Sequence, residues 1–344
     1  MGELRGALSR SDLPAPRGDR HPLIELMLTR VAERSRRGAR TDQAVVALAI
    51  EGGGLRGVVS GGMCLLLEKV GLIDAVDVIY GTSSGALNGS FTAAGQAALG
   101  STNYLGTGNP QVANPFRVLT GRALLDLDFL FEQLIFSRTP YDAEGLAAGP
   151  SFRAIGVSLT TSELAVLRDF ADVEELMVAV RASCSVPLLS DAPVSFRGQP
   201  MSDGSLIEPM PFPTALAEGA THVLVLRSRP ADHRMDAYPR ALIEIARRTA
   251  HPAIAPLLRD RPERYNADAE RLESARADEP GLLQIAQQPG TAGLPLVATP
   301  SVGQLELSGR AIRQALLTGV TAAAGAFDLP SVDVRWQPEV YGTA

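Results

Sequence analysis

Two segments of this chain follow one pattern: a short run dominated by apolar residues, a glycine-rich turn, then a helix-like stretch. The first is AVVALAI (44–50), followed by EGGGLRG (51–57) and VVSGGMCLLLEKVG (58–71). The second is VDVIY (76–80), followed by GTSSG (81–85) and ALNGSFTAAGQAAL (86–99). Runs rich in Val and Ile without polar alternation read as strands buried on both faces. Such a strand needs a layer above it and a layer below. Strand, turn and helix repeated in that order give a parallel sheet with crossover helices, the α/β class.

The rest of the chain fits that class. FRAIGVSLT and ELAVLRDF (152–160, 163–170) read as a hairpin, and VEELMVAVRASCS (173–185) as a helix that Pro187 stops. VSFRGQPMSDGSL (194–206) reads as a turn-rich hairpin, THVLVLRS (221–228) as another buried strand, and 282–287 as a last one. Helices are expected at 121–136, 236–258, 262–277 and 306–324. Residues 98–120, rich in Gly, Asn, Thr and Pro, read as a long loop. Loops of that length inside compact domains are often functional. The expected organisation is an N-terminal arm at 1–42 (partly disordered or a peripheral helix over 22–34), one domain at 43–330 and a tail at 331–344.

Composition removes several functions. Hydrophobic residues make up 45% of the chain and charged ones 20%, enough for a sizeable core. The net charge of −6 gives no global signal for nucleic acid. Residues 1–40 carry nine Arg against five acids, densest at Arg34, Arg36, Arg37 and Arg40. That stretch reads as a solvated tail. The competing reading is contact with anionic lipid, at about 1 kcal/mol per basic residue. Cys64 and Cys184 are no disulfide framework, and with His21, His222, His233 and His251 they show no zinc spacing. No metal or organic cofactor is expected. No run approaches the ~18 apolar residues of a membrane span, and the N-terminus lacks the apolar core of a signal peptide. The expected location is the cytoplasm or the periphery of a membrane; oligomeric state is not legible.

Gly81-Thr82-Ser83-Ser84-Gly85 lies between an expected strand and an expected helix, the context of a nucleophile elbow. The turn is so tight that Gly81 and Gly85 must be small. It lifts the Ser83 hydroxyl to a helix N-terminus, where developing negative charge is favoured. Gly52-Gly53-Gly54-Leu55-Arg56-Gly57 opens the first helix. A glycine run exposes backbone N–H groups, the donors an acyl-transfer oxyanion needs, with Arg56 fixing the loop or adding charge. Gly52-x-Gly54-x-x-Gly57 also fits a dinucleotide fingerprint, but Asp74 and Asp77 precede the second strand instead of ending it.

A serine nucleophile needs a base. A histidine triad would draw on Asp203 with His222 or His251, which follow it in the chain. Asp203, in Ser202-Asp203-Gly204, could instead take the proton directly. On chemistry alone it reads equally well as an ordinary Asp-Gly turn.

The three motifs together, Gly52–Gly57, Gly81–Gly85 and Asp203-Gly204, resemble the patatin-like phospholipases over roughly 44–228. The segment RASCSVPLLSDAPV (181–194) is similar to the stretch before that family's catalytic aspartate. The resemblance implies a three-layer α/β/α sandwich around a central, mostly parallel sheet. It implies a Ser83–Asp203 dyad without histidine, an oxyanion loop at Gly52, Gly53, Gly54 and Arg56, and an elbow at Gly81 and Gly85. It also implies hydrolysis of acyl esters of phospholipids, lysophospholipids or glycerolipids through an acyl-enzyme, with no cofactor. Family members commonly carry Gly or Ala where this chain has Ser205. The rival expectations are a histidine-dependent esterase for small soluble esters and a non-catalytic lipid-binding protein on the same fold. Helix 121–136 reads either as an acyl-chain or lid element or as core packing.

Overall fold

The computed structural model describes residues 8–106, 126–127, 129–137, 140–187, 193–279, 281–287 and 309–330. In chain order these form α1 (Pro22–Ala32), β1 (Val46–Ile50), α2 (Gly57–Lys69), β2 (Val78–Thr82), α3 (Ser84–Ala93) and α4 (Ala97–Gly106). After a π-helical segment (Phe129–Phe136) come α5 (Ala143–Ala148), β3 (Ser151–Ser158), β4 (Leu164–Leu167), α6 (Val173–Ser183), β5 (Val194–Phe196) and β6 (Gln199–Asp203). The chain continues with α7 (Phe212–Ala217), β7 (His222–Pro230), α8 (Arg240–Thr249), α9 (Ile254–Asp278), β8 (Leu282–Gln287) and α10 (Gly309–Ala326).

Eight strands form one sheet in the order β5-β6-β3-β2-β1-β7-β8, with β4 also on β3. The pairs β3–β2, β2–β1, β1–β7 and β7–β8 are parallel; β3–β4, β3–β6 and β5–β6 are antiparallel. Every residue of β1 and β2 is buried. Alternate side chains of β1 enter opposite cores, as the two-residue period of a strand requires. Val46, Leu48 and Ile50 meet α1, α2, α3 and α10; Ala47 and Ala49 meet α7 and α9. This is the expected α/β/α sandwich.

The last helix closes the first layer by backbone contact with α2. A Cβ on Gly62 would lie 2.1 Å from the Leu316 carbonyl oxygen, and one on Gly319 would lie 1.9 Å from that of Val59. Only glycine at both positions lets the helices cross so closely.

Several local expectations differ from the structure. Within the arm expected at 1–42, the helix expected over 22–34 forms as α1 but is packed into the molecule instead of lying at its periphery: Leu23 and Met27 are wholly buried. Arg30, 1% exposed, pairs with Asp42 and Asp77 at 2.6 and 2.7 Å, and Arg40 reaches Asp77 at 2.8 Å. Of the densest basic stretch, Arg34, Arg36 and Arg37 are exposed, as a solvated segment requires, while Arg40 is drawn onto Asp77. The helix expected over 86–99 breaks at Gly95, where φ is +69°, and the expected loop beginning at 98 starts as α4. The helix expected over 236–258 begins after Pro239 and stops at Thr249, before Pro252. Residues 107–125 of the expected loop and helix, and the expected tail at 331–344, lie outside the described residues. No helix among the described residues is long and apolar enough to cross a membrane.

Candidate active site

β2 ends at Thr82 and α3 begins at Ser84, so Ser83 is the whole turn between them. Its backbone stands at φ 56°, ψ −127°, a conformation that costs a non-glycine residue energy and persists only when its surroundings impose it. The surroundings here are identifiable. A Cβ on Gly81 would fall 2.4 Å from the Gly85 oxygen, and one on Gly85 would fall 2.2 Å from the Ile50 oxygen. Both elbow glycines are thus fixed by close packing. The Ser83 amide donates to Ser183 Oγ at 2.9 Å, and Ser183 Oγ donates to the Ile155 carbonyl at 2.5 Å. Ser183, at the end of α6, ties the nucleophile to β3. The family-like stretch at 181–194 contains Ser183 but assigns it no role, because its partner is a hundred residues away.

Strand register brings Asp203 to the same place. On β3, Ile155 faces Thr82 and the next residue, Gly156, faces Asp203. β4 occupies the opposite edge over 154–157. So β2 and β6 lie end to end along one edge of β3, and their last residues meet. The Asp203 amide donates to the Ser185 carbonyl at 2.9 Å. Its Oδ1 accepts the Ser205 amide at 2.7 Å, while Oδ2 is buried with no hydrogen bond. Burial pushes the carboxyl above its ordinary range; the Ser83 hydroxyl, then the Ser205 amide and hydroxyl, then Arg261, pull it back. The Ser83 hydroxyl thus acts on the carboxyl, although Oδ2 accepts no hydrogen bond. Catalytic contacts in an empty site are often loose in this way.

The glycine loop is packed against the elbow, but its amides are not equivalent. The Gly52 amide donates to the Pro209 carbonyl at 3.0 Å, and the Gly53 amide donates to Ser84 Oγ at 2.9 Å. Gly54 is exposed with φ +60°, a left-handed backbone that suits glycine. A Cβ on Gly52 would lie 2.7 Å from the Thr82 oxygen and 3.0 Å from Ser83 Cβ. Gly52 is a spacer beneath the nucleophile. The first amides of α3, at Ser84 and Gly85, have no carbonyl one turn back and lie at the positive end of the helix.

Behind the loop, Glu51 is wholly buried. It accepts from the Ser228 amide at 2.6 Å, from Arg229 at 2.5 Å and from the Tyr265 hydroxyl at 3.1 Å. Arg229 and the Ser228 hydroxyl also donate to the Gly52 carbonyl, at 3.2 and 3.1 Å. Arg56 is lowered to about 9, first by burial and then by Arg229, and its Nε has no hydrogen bond.

Other candidates fall elsewhere. His222 pairs with Val46 at the start of β1, the end of the sheet opposite Ser83. Four residues of strand separate the two ends, roughly 13 Å. His251 is exposed and accepts the Ala253 amide at 3.3 Å. Asp77, which a dinucleotide reading would need, also sits at that far end, bonded to Arg30, Arg40 and the Val46 amide. Among the described residues no cluster of His, Cys, Asp or Glu could hold a metal ion. Within the segment expected at 121–136, Phe131 and Ile135 are buried, and Phe131, Phe136, Tyr141 and Phe91 form a chain of ring contacts.

Residues 48–216 match the model of the family described as patatin-like phospholipase. The match spans β1 through α7 and includes the elbow, the glycine loop and Asp203. That span, just under half of the chain, is a patatin-like phospholipase domain by this match. A curated relative, the uncharacterized protein YjjU of Escherichia coli (strain K12), is 27% identical over 191 residues, 54% of this chain and 52% of that protein. The chain thus matches about half the length of this relative. Among solved structures, VipD from Legionella pneumophila aligns with TM-score 0.40 and 14% identity over 83% of this chain and 67% of its own. Human GIVD cytosolic phospholipase A2 in complex with methyl gamma-linolenyl fluorophosphonate gives TM-score 0.40 and 12% identity over 83% of this chain and 59% of its own.

Proposed function

We propose that this chain is a serine acyl hydrolase of lipid esters, with Ser83 as nucleophile and Asp203 as base. The observation that carries the reading is the meeting of a strained serine with a buried carboxyl whose Oδ2 is unpartnered. A buried polar atom left without a partner is costly and calls for an explanation; here the missing partner is the proton of the reacting hydroxyl. The match to the patatin-like phospholipase model supports lipid esters as the substrate class.

In acylation, Asp203 Oδ2 accepts the Ser83 proton as Oγ attacks the acyl carbonyl. The carbonyl π pair moves to oxygen, and the oxyanion is held by the free amide at Gly54 and the first amides of α3. The Gly53 amide joins them if it exchanges Ser84 Oγ for the oxyanion. The tetrahedral species collapses, the alcohol leaves with the proton from Asp203, and the acyl group stays on Ser83. Water then gives its proton to Asp203 and attacks the acyl-enzyme, releasing the fatty acid and restoring the serine. Burial of Asp203 raises its basicity; the Ser205 amide on Oδ1 holds its orientation. No step requires a cofactor.

The test is hydrolysis of a graded series of p-nitrophenyl esters, short to long acyl, by wild type, Ser83→Ala, Asp203→Asn and His222→Ala. Loss in the first two variants alone, with preference for longer chains, supports the dyad and the lipid reading. Loss in a folded His222→Ala protein, or activity in Ser83→Ala, refutes it.

A further inference from the structure

The family match stops at residue 216, yet a residue far beyond it grips the turn that follows the base. Arg261 of α9 holds Ser205 at two points. Its Nε donates to the Ser205 carbonyl at 2.5 Å, and a terminal nitrogen lies 3.4 Å from Ser205 Oγ. The other terminal nitrogen donates to the Tyr238 hydroxyl. All three partners are neutral, and Arg261 is only 9% exposed. A guanidinium withdrawn from water without a carboxylate partner is expensive. Ser205, which it grips, donates its amide to Asp203 Oδ1. A glycine or alanine at 205 would offer Arg261 the carbonyl alone.

We propose that Arg261 is a positioning residue for the catalytic base, gripping Ser205 so that its amide stays on Asp203 Oδ1 and Oδ2 stays turned toward Ser83. The inference rests on Asp203 being the base. It gives the C-terminal region, which carries no family motif, a direct part in the chemistry.

Charge adds to position. The groups acting on Asp203 are the Ser83 hydroxyl from the elbow, Ser205 on its own loop and Arg261 from α9; the Cys184 thiol at the end of α6 also feels it. Burial, then Asp203, pushes the Cys184 thiol well above its ordinary value, so it stays neutral. Arg261 is the positively charged member of this set. A positive charge favours the ionised carboxylate, which is the form that accepts the serine proton. Removing it raises the Asp203 pKa and moves the acid limb of the rate profile to higher pH.

The experiment is the pH dependence of kcat/KM for p-nitrophenyl ester hydrolysis by wild type, Arg261→Met, Arg261→Lys and Asp203→Asn, with the fold checked by circular dichroism. Arg261→Met should move the acid limb to higher pH and lower the plateau, since it removes both the positive charge and the grip on Ser205. Arg261→Lys should restore the limb yet keep a plateau reduced severalfold, because an ammonium cannot reproduce the fork on Ser205. A folded Arg261→Met protein with an unshifted limb overturns the proposal. If that variant does not fold, Arg261→Lys decides: a plateau equal to wild type overturns it. Activity retained in Asp203→Asn refutes the base itself, whereas an inactive Asp203→Asn beside an unshifted Arg261→Met refutes only the role of Arg261.

Discussion

Asp203→Asn should inactivate the protein and stabilise it at the same time. The carboxyl is 1% exposed, with one oxygen bonded to the Ser205 amide and the other without a hydrogen bond. Asparagine can keep the first contact, since its carbonyl oxygen replaces Oδ1. Its amide can donate to Ser83 Oγ but cannot accept the serine proton. Loss of a general base costs about 10²–10⁴-fold in rate. A buried polar atom without a partner costs about 1–3 kcal/mol, more when charged, so relieving it should add about 1–2 kcal/mol. For a chain longer than 250 residues that is about 1–4 °C in Tm. The pH dependence fixes the cause. The folded-state pKa of Asp203 is raised above 3.8, so wild-type stability from this group falls as pH rises through the interval from 3.8 to that raised value. The gain in Asp203→Asn must therefore appear above the interval and vanish below it. Thermal unfolding of both proteins across that range, beside ester hydrolysis, makes the measurement. A variant that is both inactive and less stable at neutral pH would mean that the carboxylate is structural, and the reasoning would fail.

Three further outcomes follow from the same geometry. Gly52→Ala places a methyl group 2.7 Å from the Thr82 oxygen and 3.0 Å from Ser83 Cβ; ester hydrolysis should fall at least a hundredfold, about the loss from displacing one reacting group by 1 Å. Glu208, raised to about 7 chiefly by burial, should lose its stabilising contribution as pH rises from 4.5 to about 7. Glu208→Gln, which can still accept from Thr214, should then raise Tm above neutrality and leave it unchanged near pH 4. Arg30→Met leaves Asp42 and Asp77 without their buried partner, and denaturant unfolding should show a loss of about 3 kcal/mol.

What could be read in the sequence was what is local. The apolar runs at 44–50 and 76–80 and the glycine spacing around Ser83 each specify their structure within a few residues. The register of β3, β2 and β6 is not local, so the residues around Asp203 alone leave it equally a base or an ordinary Asp-Gly turn, and only the family resemblance favours the base. Pro209, Arg229 and Arg261 carry no signal of their own, and Ser183 none that assigns it a role: each matters through a partner distant in the chain. The first 42 residues misled for a related reason. Arg30 and Arg40 look solvated until Asp42 and Asp77 are placed against them. Likewise, only the packed structure shows that Gly62 and Gly319 hold the last helix against α2.

The central claim is that Ser83 is a nucleophile served by Asp203. Its most direct test is labelling with a long-chain fluorophosphonate, read by intact mass and peptide mapping. The account predicts one adduct per chain, on Ser83, absent in Ser83→Ala and greatly slowed in Asp203→Asn. An adduct on another residue, or none on folded wild-type protein, would contradict it.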